Sequence, residues 1–249
     1  MARYTFGDDE PARARLALVA AAYEPVSRAF LAREAPTGAA LAVDLGCGPG
    51  FSTELVAATC RPRALVGLDA SEQFLAMARP LVPTARFVRH DVTEVPLPGG
   101  PADVIYARLV LAHLPDPPAL LARWCEHLAA GGVILSEELE DIESPDGPLR
   151  DYDDLSSAMV RRGGGVMCAG PLLAPLGGRC VRVEASAALA ARIYSFNVRL
   201  WLERADGGPA KERLLRLQRG LAELAHSPSA AGVTWIVRQT VVSRGSPLR

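Results

Sequence analysis

At 249 residues, with 49% apolar side chains and a mean hydropathy of +0.14, the chain is long enough to bury one large core and too apolar for a disordered polymer. Its 27 basic and 28 acidic residues leave a formal charge of −1, so no overall field draws it to nucleic acid or to an anionic membrane. Five cysteines, at positions 47, 60, 125, 168 and 180, make no C-x-x-C pair and are odd in number, which argues against a zinc site and a disulfide framework. No window approaches 18 uninterrupted apolar residues and no leader pattern opens the chain, so a reducing, cytoplasmic setting with no bound metal is expected.

Taken in order, residues 9–35 read as two helices: Pro11 suits a first turn behind Asp9 and Glu10, Leu16, Val19 and Tyr23 recur at helical spacing, and Pro25 interrupts. Pro36-Thr37-Gly38 is the joint to the main domain. Strand-like runs at 41–45, 64–68, 85–88, 104–107 and 133–135 then alternate with helical ones, a pattern that predicts a parallel sheet with ligands at the carboxyl ends of its strands. Ser71 caps a helix ending near Pro80, and Asp116-Pro117 opens one predicted to run to Gly131-Gly132. Past the fifth strand, Glu137, Glu138, Glu140, Asp141, Glu143, Asp146, Asp151, Asp153 and Asp154 face only Arg150, and the acids beyond Glu138 read as a solvated face. A Gly-rich loop at 163–165, a strand at 181–183, an apolar helix at 187–202, a helix at 209–226 and a closing strand at 233–242 complete the chain. The helix carrying Tyr194, Phe196 and Trp201 reads as core.

The stretch that carries chemistry is Leu41–Ser52, an apolar strand that breaks into Gly46, Gly48 and Gly50 before a helix opens at Ser52 and Thr53. A strand, a glycine turn and a helix N-terminus form a ligand cradle in which backbone N–H groups approach a ligand closely. The dinucleotide fingerprint Gly-x-Gly-x-x-Gly needs a small residue where this chain has Phe51, which disfavours a nicotinamide enzyme; the spacing is Asp44-x-Gly46-x-Gly48-x-Gly50. That pattern resembles motif I of the class I S-adenosylmethionine-dependent methyltransferases of small-molecule type. Three further stretches resemble that family in the right order: Val66-Gly-Leu-Asp69, Phe87-Val-Arg-His-Asp91-Val92, and Ala102 to Asp116 with its His113-Leu-Pro-Asp turn.

The resemblance implies an α/β Rossmann-like fold: a seven-stranded, mostly parallel sheet in the order 3-2-1-4-5-7-6, with the last strand antiparallel. It implies an N-terminal helical lid over 1–37 and a methyltransferase core over 38–249, with a substrate-covering insertion at about 140–178. It assigns S-adenosylmethionine to Asp44, Gly46, Cys47 and Gly48 in the glycine turn, Asp69 and Ala70 at the ribose, Asp91 and Val92 at the adenine, and Ala107 and Arg108 beside the sulfonium. Tyr4 and Arg15 reach over the methionine carboxylate, a role an Arg suits through a bidentate pair. Asp69 reads equally as a helix-capping residue before Ser71 when taken alone. His113 is either a general base or an imidazole packed on the cofactor, and Glu138, beside Glu137 in a Gly-Gly…Glu element, is the second catalytic candidate. The implied activity is methyl transfer to O, N or C of a small organic acceptor, with self-association to a homodimer left open. The alternative is a non-catalytic protein that senses the cofactor or its demethylated product.

Overall fold

The computed structural model describes residues 6–227 and 229–245. Helix α1 (Glu10–Glu34) starts where Asp9 Oδ1 accepts the Ala12 N–H at 3.0 Å, with Pro11 in the first turn. It is one helix and not the two that Pro25 suggests. Pro25 is exposed, so the carbonyl it leaves without an N–H donor faces water, while Tyr23, Ser27, Phe30 and Leu31 keep one buried stripe running past it. That stripe packs on α2 (Phe51–Cys60) and α7 (Ala187–Glu203).

Strands β1 (Leu41–Leu45), β2 (Ala64–Asp69), β3 (Arg86–Arg89), β4 (Ala102–Arg108), β5 (Leu128–Glu143), β6 (Arg179–Ala185) and β7 (Val233–Ser243) form one sheet in the order β3-β2-β1-β4-β5-β7-β6. The first five pair in parallel, and β7 runs antiparallel to both β5 and β6. This is the expected order. Helices α2, α3 (Glu72–Leu81) and α4 (Pro117–Cys125) are the crossovers, and Ser71 caps α3 by accepting the Phe74 N–H at 3.2 Å.

Two boundaries differ from the sequence reading. The helix from Pro117 ends at Cys125, well before Gly131, because Ala102 N–H takes the His127 carbonyl at 2.9 Å and Leu128 already pairs with Ala102. Gly132 serves the sheet instead: a Cβ there would sit 2.6 Å from the Ala102 carbonyl oxygen. β5 also continues to Glu143, since β7 offers it an antiparallel partner from Val133 to Glu143. The acids beyond Glu138 are therefore not one solvated face. Asp141, Asp146, Asp151 and Asp154 are exposed, but Glu140 is paired with Arg238 at 2.7 Å and Asp153 is buried.

Helices α5 (Pro148–Arg162) and α6 (Gly170–Leu173) fill the connection from β5 to β6, and α8 (Gly208–Leu224) backs α7. One core lies under α5, α7 and α8, around Tyr152, Tyr194, Trp201, Leu221 and Trp235. Another lies between the parallel strands and α4, around Leu45, Leu68, Trp124 and Ile134.

Candidate functional site

The chain leaves β1 through three glycines with positive φ, +61° at Gly46, +52° at Gly48 and +95° at Gly50. Gly46 is irreplaceable on steric grounds, because a Cβ there would meet Val110 Cγ2 at 2.6 Å. Asp44, at the end of β1, is wholly buried beneath the turn and accepts the Ser52 hydroxyl at 2.7 Å and the Thr53 hydroxyl at 2.6 Å, clamping the first turn of α2 to the strand. Burial raises its carboxyl to about 6, against the pull of those two hydroxyls. Cys47 holds the turn to β2 through its N–H on the Leu68 carbonyl at 3.0 Å, and burial pushes its thiol well above the ordinary range, so no thiolate nucleophile sits here.

Asp69, at the tip of β2, accepts the Gly48 N–H and the Ser71 N–H, each at 2.8 Å, so a single carboxylate joins the glycine turn to the start of α3. Burial raises its pKa in spite of those bonds. Ser71 in turn donates to Asp8 Oδ2 at 2.8 Å. Asp91, past the tip of β3, accepts the Thr93 hydroxyl at 2.7 Å and N–H at 2.9 Å, which hold its carboxyl below the usual range. The neighbouring Val92 carbonyl is fixed by Trp124 Nε1 at 2.8 Å. These strand tips open onto one cavity of about 650 Å³, lined by Arg15, Gly46, Cys47, Gly48, Asp69, Ala70, Asp91, Val92, Arg108 and His113 among others.

Three of the sequence candidates do not line it. Asp44 and Ala107 are buried behind the wall, and Glu138 is turned away from it. Glu138 Oε1 accepts the N–H groups of Val110 and Leu111 at 2.9 and 2.8 Å and so pins the 3-10 turn Leu111–His113, while burial raises its carboxyl to about 8. Glu137 accepts the Tyr106 hydroxyl at 2.5 Å and the Gln239 amide at 2.8 Å, tying β4, β5 and β7 together. Tyr4 lies outside the described residues.

His113 does line the cavity, edge-on to Phe6 at 5.6 Å, and burial followed by the Arg15 charge lowers it to about 4. Arg15 is 7% exposed, and among the described residues its Nε and Nη2 have no hydrogen-bond partner; its guanidinium lies 5.2 Å from the Phe6 ring centroid. The structure also adds wall residues that sequence reasoning missed: Tyr152, Asp153 and Ser156 from α5, Tyr194 and Asn197 from α7, Trp235 from β7, and Gly165. Gly165 packs so closely on the His113 turn that a Cβ would lie 2.3 Å from the Ala112 carbonyl oxygen, and the next N–H, of Val166, bonds that oxygen at 2.9 Å. The glycine run was the one signal in the sequence for that contact. Tyr194, read as core, forms part of the cavity wall.

Residues 43–136 match the family model described as a methyltransferase domain. Trans-aconitate 2-methyltransferase of Methylobacterium nodulans is 40% identical over 116 residues, and that of Variovorax paradoxus 44% identical over 117 residues. Each alignment covers 47% of this chain and 45% of the relative, so the chain spans about half the length of the curated relatives it matches. A solved protein of Bacillus halodurans shares the fold at a TM-score of 0.56 and 14% identity, over 88% of this chain and 99% of that one. Glycine turn, strand order and matched segment coincide: residues 43–136, which match a methyltransferase domain, are the ones that carry the glycine turn, Asp69, Asp91 and the His113 turn.

Proposed function

We propose that the cavity binds S-adenosylmethionine and transfers its methyl group to a small organic acceptor. The observation that carries this reading is the convergence of the glycine turn, Asp69 and Asp91 on one cavity at the carboxyl edge of the parallel strands. The residues present fit the cofactor. Arg15 is a buried guanidinium with no anionic partner among the described residues, which a methionine carboxylate would supply, and the backbone at Gly48 has no described neighbour closer than Leu16 Cδ1 at 4.0 Å from where a Cβ would stand. Asp69 retains acceptor capacity for the ribose hydroxyls beyond the two N–H groups it already holds, and Asp91 with the Val92 N–H suits the adenine edge. Helix α1 and the segment from Ser144 to Gly178 act as the cover over the core.

When bound, the sulfonium supplies a methyl group that leaves behind a neutral thioether. What remains for the chain is alignment and exclusion of water. Arg108 and the turn Leu111–His113 form the wall toward the acceptor, and Glu138 positions that turn through its two backbone bonds. His113, lowered to about 4, is neutral at pH 7 and too weak a base to hold a proton taken from the acceptor, so its role is to shape and orient. An acceptor whose nucleophile is already unprotonated suits such a site.

The relatives are named for trans-aconitate, a carboxylic acid, which makes it the first acceptor to test. Calorimetry with S-adenosylmethionine and S-adenosylhomocysteine should show binding of both, and Asp69→Ala, folded by circular dichroism, should bind at least about tenfold more weakly through loss of a charge-assisted bond of roughly 1.5–3 kcal/mol. Absence of heat with either compound would sink the reading. Binding without a mass gain on any acceptor of a small-molecule panel would instead favour a sensor of the cofactor.

A further inference from the structure

Beyond the strand tips the cavity extends beneath α5 and α7 into a chamber walled by rings. Tyr152 stacks on Tyr194 with centroids 3.8 Å apart, and Tyr23 stacks on Trp235 at 5.7 Å; all four line the cavity. Asp153 lines the same chamber, 7% exposed. The partners of its carboxylate are hydroxyls: Ser144 Oγ donates to Oδ2, and Tyr194 also bonds it. Arg150, the cation of the same helix nearest to it, faces solvent and donates to the Ser144 carbonyl at 2.6 Å.

An independent observation lies on α7, three residues on from Tyr194. Asn197, 2% exposed and also in the wall, gives its amide N–H to the Tyr152 hydroxyl, and among the described residues its Oδ1 has no donor. A carboxylate held by hydroxyls at the cavity wall keeps acceptor capacity for N–H groups from outside the chain, and the amide oxygen on the neighbouring helix has no donor among the described residues. The carboxylate favours a cation over an anion here, and the rings, stacked on one another in pairs, wall the chamber with apolar surface.

We infer that this chamber seats a protonated amine carried by the acceptor, with its ammonium on Asp153 and its carbons against Tyr152, Tyr194, Tyr23 and Trp235. The inference rests on the proposed cofactor site and methyl transfer, and it departs from the carboxylic acid for which the relatives are named. A group bearing a negative charge at this position meets Asp153 as a like charge and is rejected. The amine is a recognition handle, and the methylated atom lies nearer the Leu111–His113 turn.

The test uses the full chain saturated with S-adenosylhomocysteine at pH 7.5 and three probes of nearly one shape: tyramine, 4-ethylphenol and 4-hydroxyphenylacetate, with trans-aconitate as a fourth. Binding by thermal shift and calorimetry should rank the cation at least tenfold tighter than the neutral phenol, with both acids weaker still. Asp153→Asn should erase the advantage of tyramine and leave 4-ethylphenol unchanged, which a purely structural aspartate would not do. Should that variant fail to fold, the ranking in the unaltered protein and its weakening with salt decide the matter. A neutral phenol as good as tyramine, either acid tighter than tyramine, or no binding of any probe overturns the inference. Failure of S-adenosylhomocysteine itself to bind overturns the underlying function instead.

Discussion

A buried ionisable group's role here depends on what it faces, and Glu138 and Arg15 illustrate two outcomes. Glu138 has a folded pKa of about 8, above its ordinary 4.5, so between those values the folded chain holds a proton that the unfolded chain has released. Stability from this group is complete below about 4.5 and is lost as pH rises through 8. Asp44 and Asp153, each raised to about 6, His113, lowered from 6.5 to about 4, and the buried thiols also titrate in one state or the other near this window. The Glu138 share is therefore the part of the slope that Glu138→Gln removes. Urea unfolding should lose about 2 kcal/mol from pH 6.5 to 8.5, and Glu138→Gln, whose amide oxygen still accepts the Val110 and Leu111 N–H groups, should flatten that loss. An equal slope in the variant would refute the assignment. Arg15 is the converse, a buried cation without an anion among the described residues. Arg15→Met should stabilise the cofactor-free chain by roughly 1–3 kcal/mol while shrinking the thermal shift on S-adenosylhomocysteine. A variant that is less stable and binds equally well would remove Arg15 from the cofactor's carboxylate.

At the scale of elements, the site is a set of turns held against strand ends by other turns. Gly46 abuts Val110, Asp69 grips Gly48, and Gly165 abuts the Ala112 carbonyl, so a change in one loop is felt in the next. Gly46→Ala forces a side chain into the left-handed region and into Val110 at 2.6 Å. It should cost roughly 2–4 kcal/mol by urea unfolding and abolish cofactor binding even where the fold survives at low temperature. A full-affinity variant would mean that the turn is not the cradle. Elements governed by local rules were the readable ones: the Ser71 cap, Pro11 at a helix start and the three-glycine turn are each determined by atoms a few residues apart. Helix α1 was not so readable, since Pro25 is a breaker by local rules and is tolerated only because its free carbonyl faces water while Tyr23 and Phe30 pack against α7 and the sheet. The end of α4 was misjudged for a related reason, the claim of β4 on Leu128.

For the molecule as a whole, the core under α7, the core against α4 and a third around α2 share one sheet, and α1 bridges the first and third, with Tyr23 packed toward α7 and Phe30 and Leu31 toward α2. Such sharing favours a single cooperative transition. The three tryptophans divide between two of these cores, Trp124 in the one against α4 and Trp201 and Trp235 in the one under α7. Unfolding of Trp124→Phe followed by fluorescence, which then reports the core around α7, should therefore coincide with its circular dichroism curve; separated midpoints would show that the halves unfold independently.

The chain's own order of residues was enough for the parallel strands, the glycine turn and the edge at which the cavity opens, because glycine spacing, strand tips and caps are short-range and act wherever they are placed; the sheet order and the cofactor class came from the resemblance those motifs carry. Only the folded molecule could decide which acids face the ligand. Glu138 and Asp44 turn inward to hold backbone and hydroxyls, and Asp153, from a stretch that reads as solvated, ends among Tyr23, Tyr152, Tyr194 and Trp235. Those neighbours come from four elements and span more than 200 positions, and the free energy of a buried charge is set by the dielectric and the donors that such distant residues bring to it.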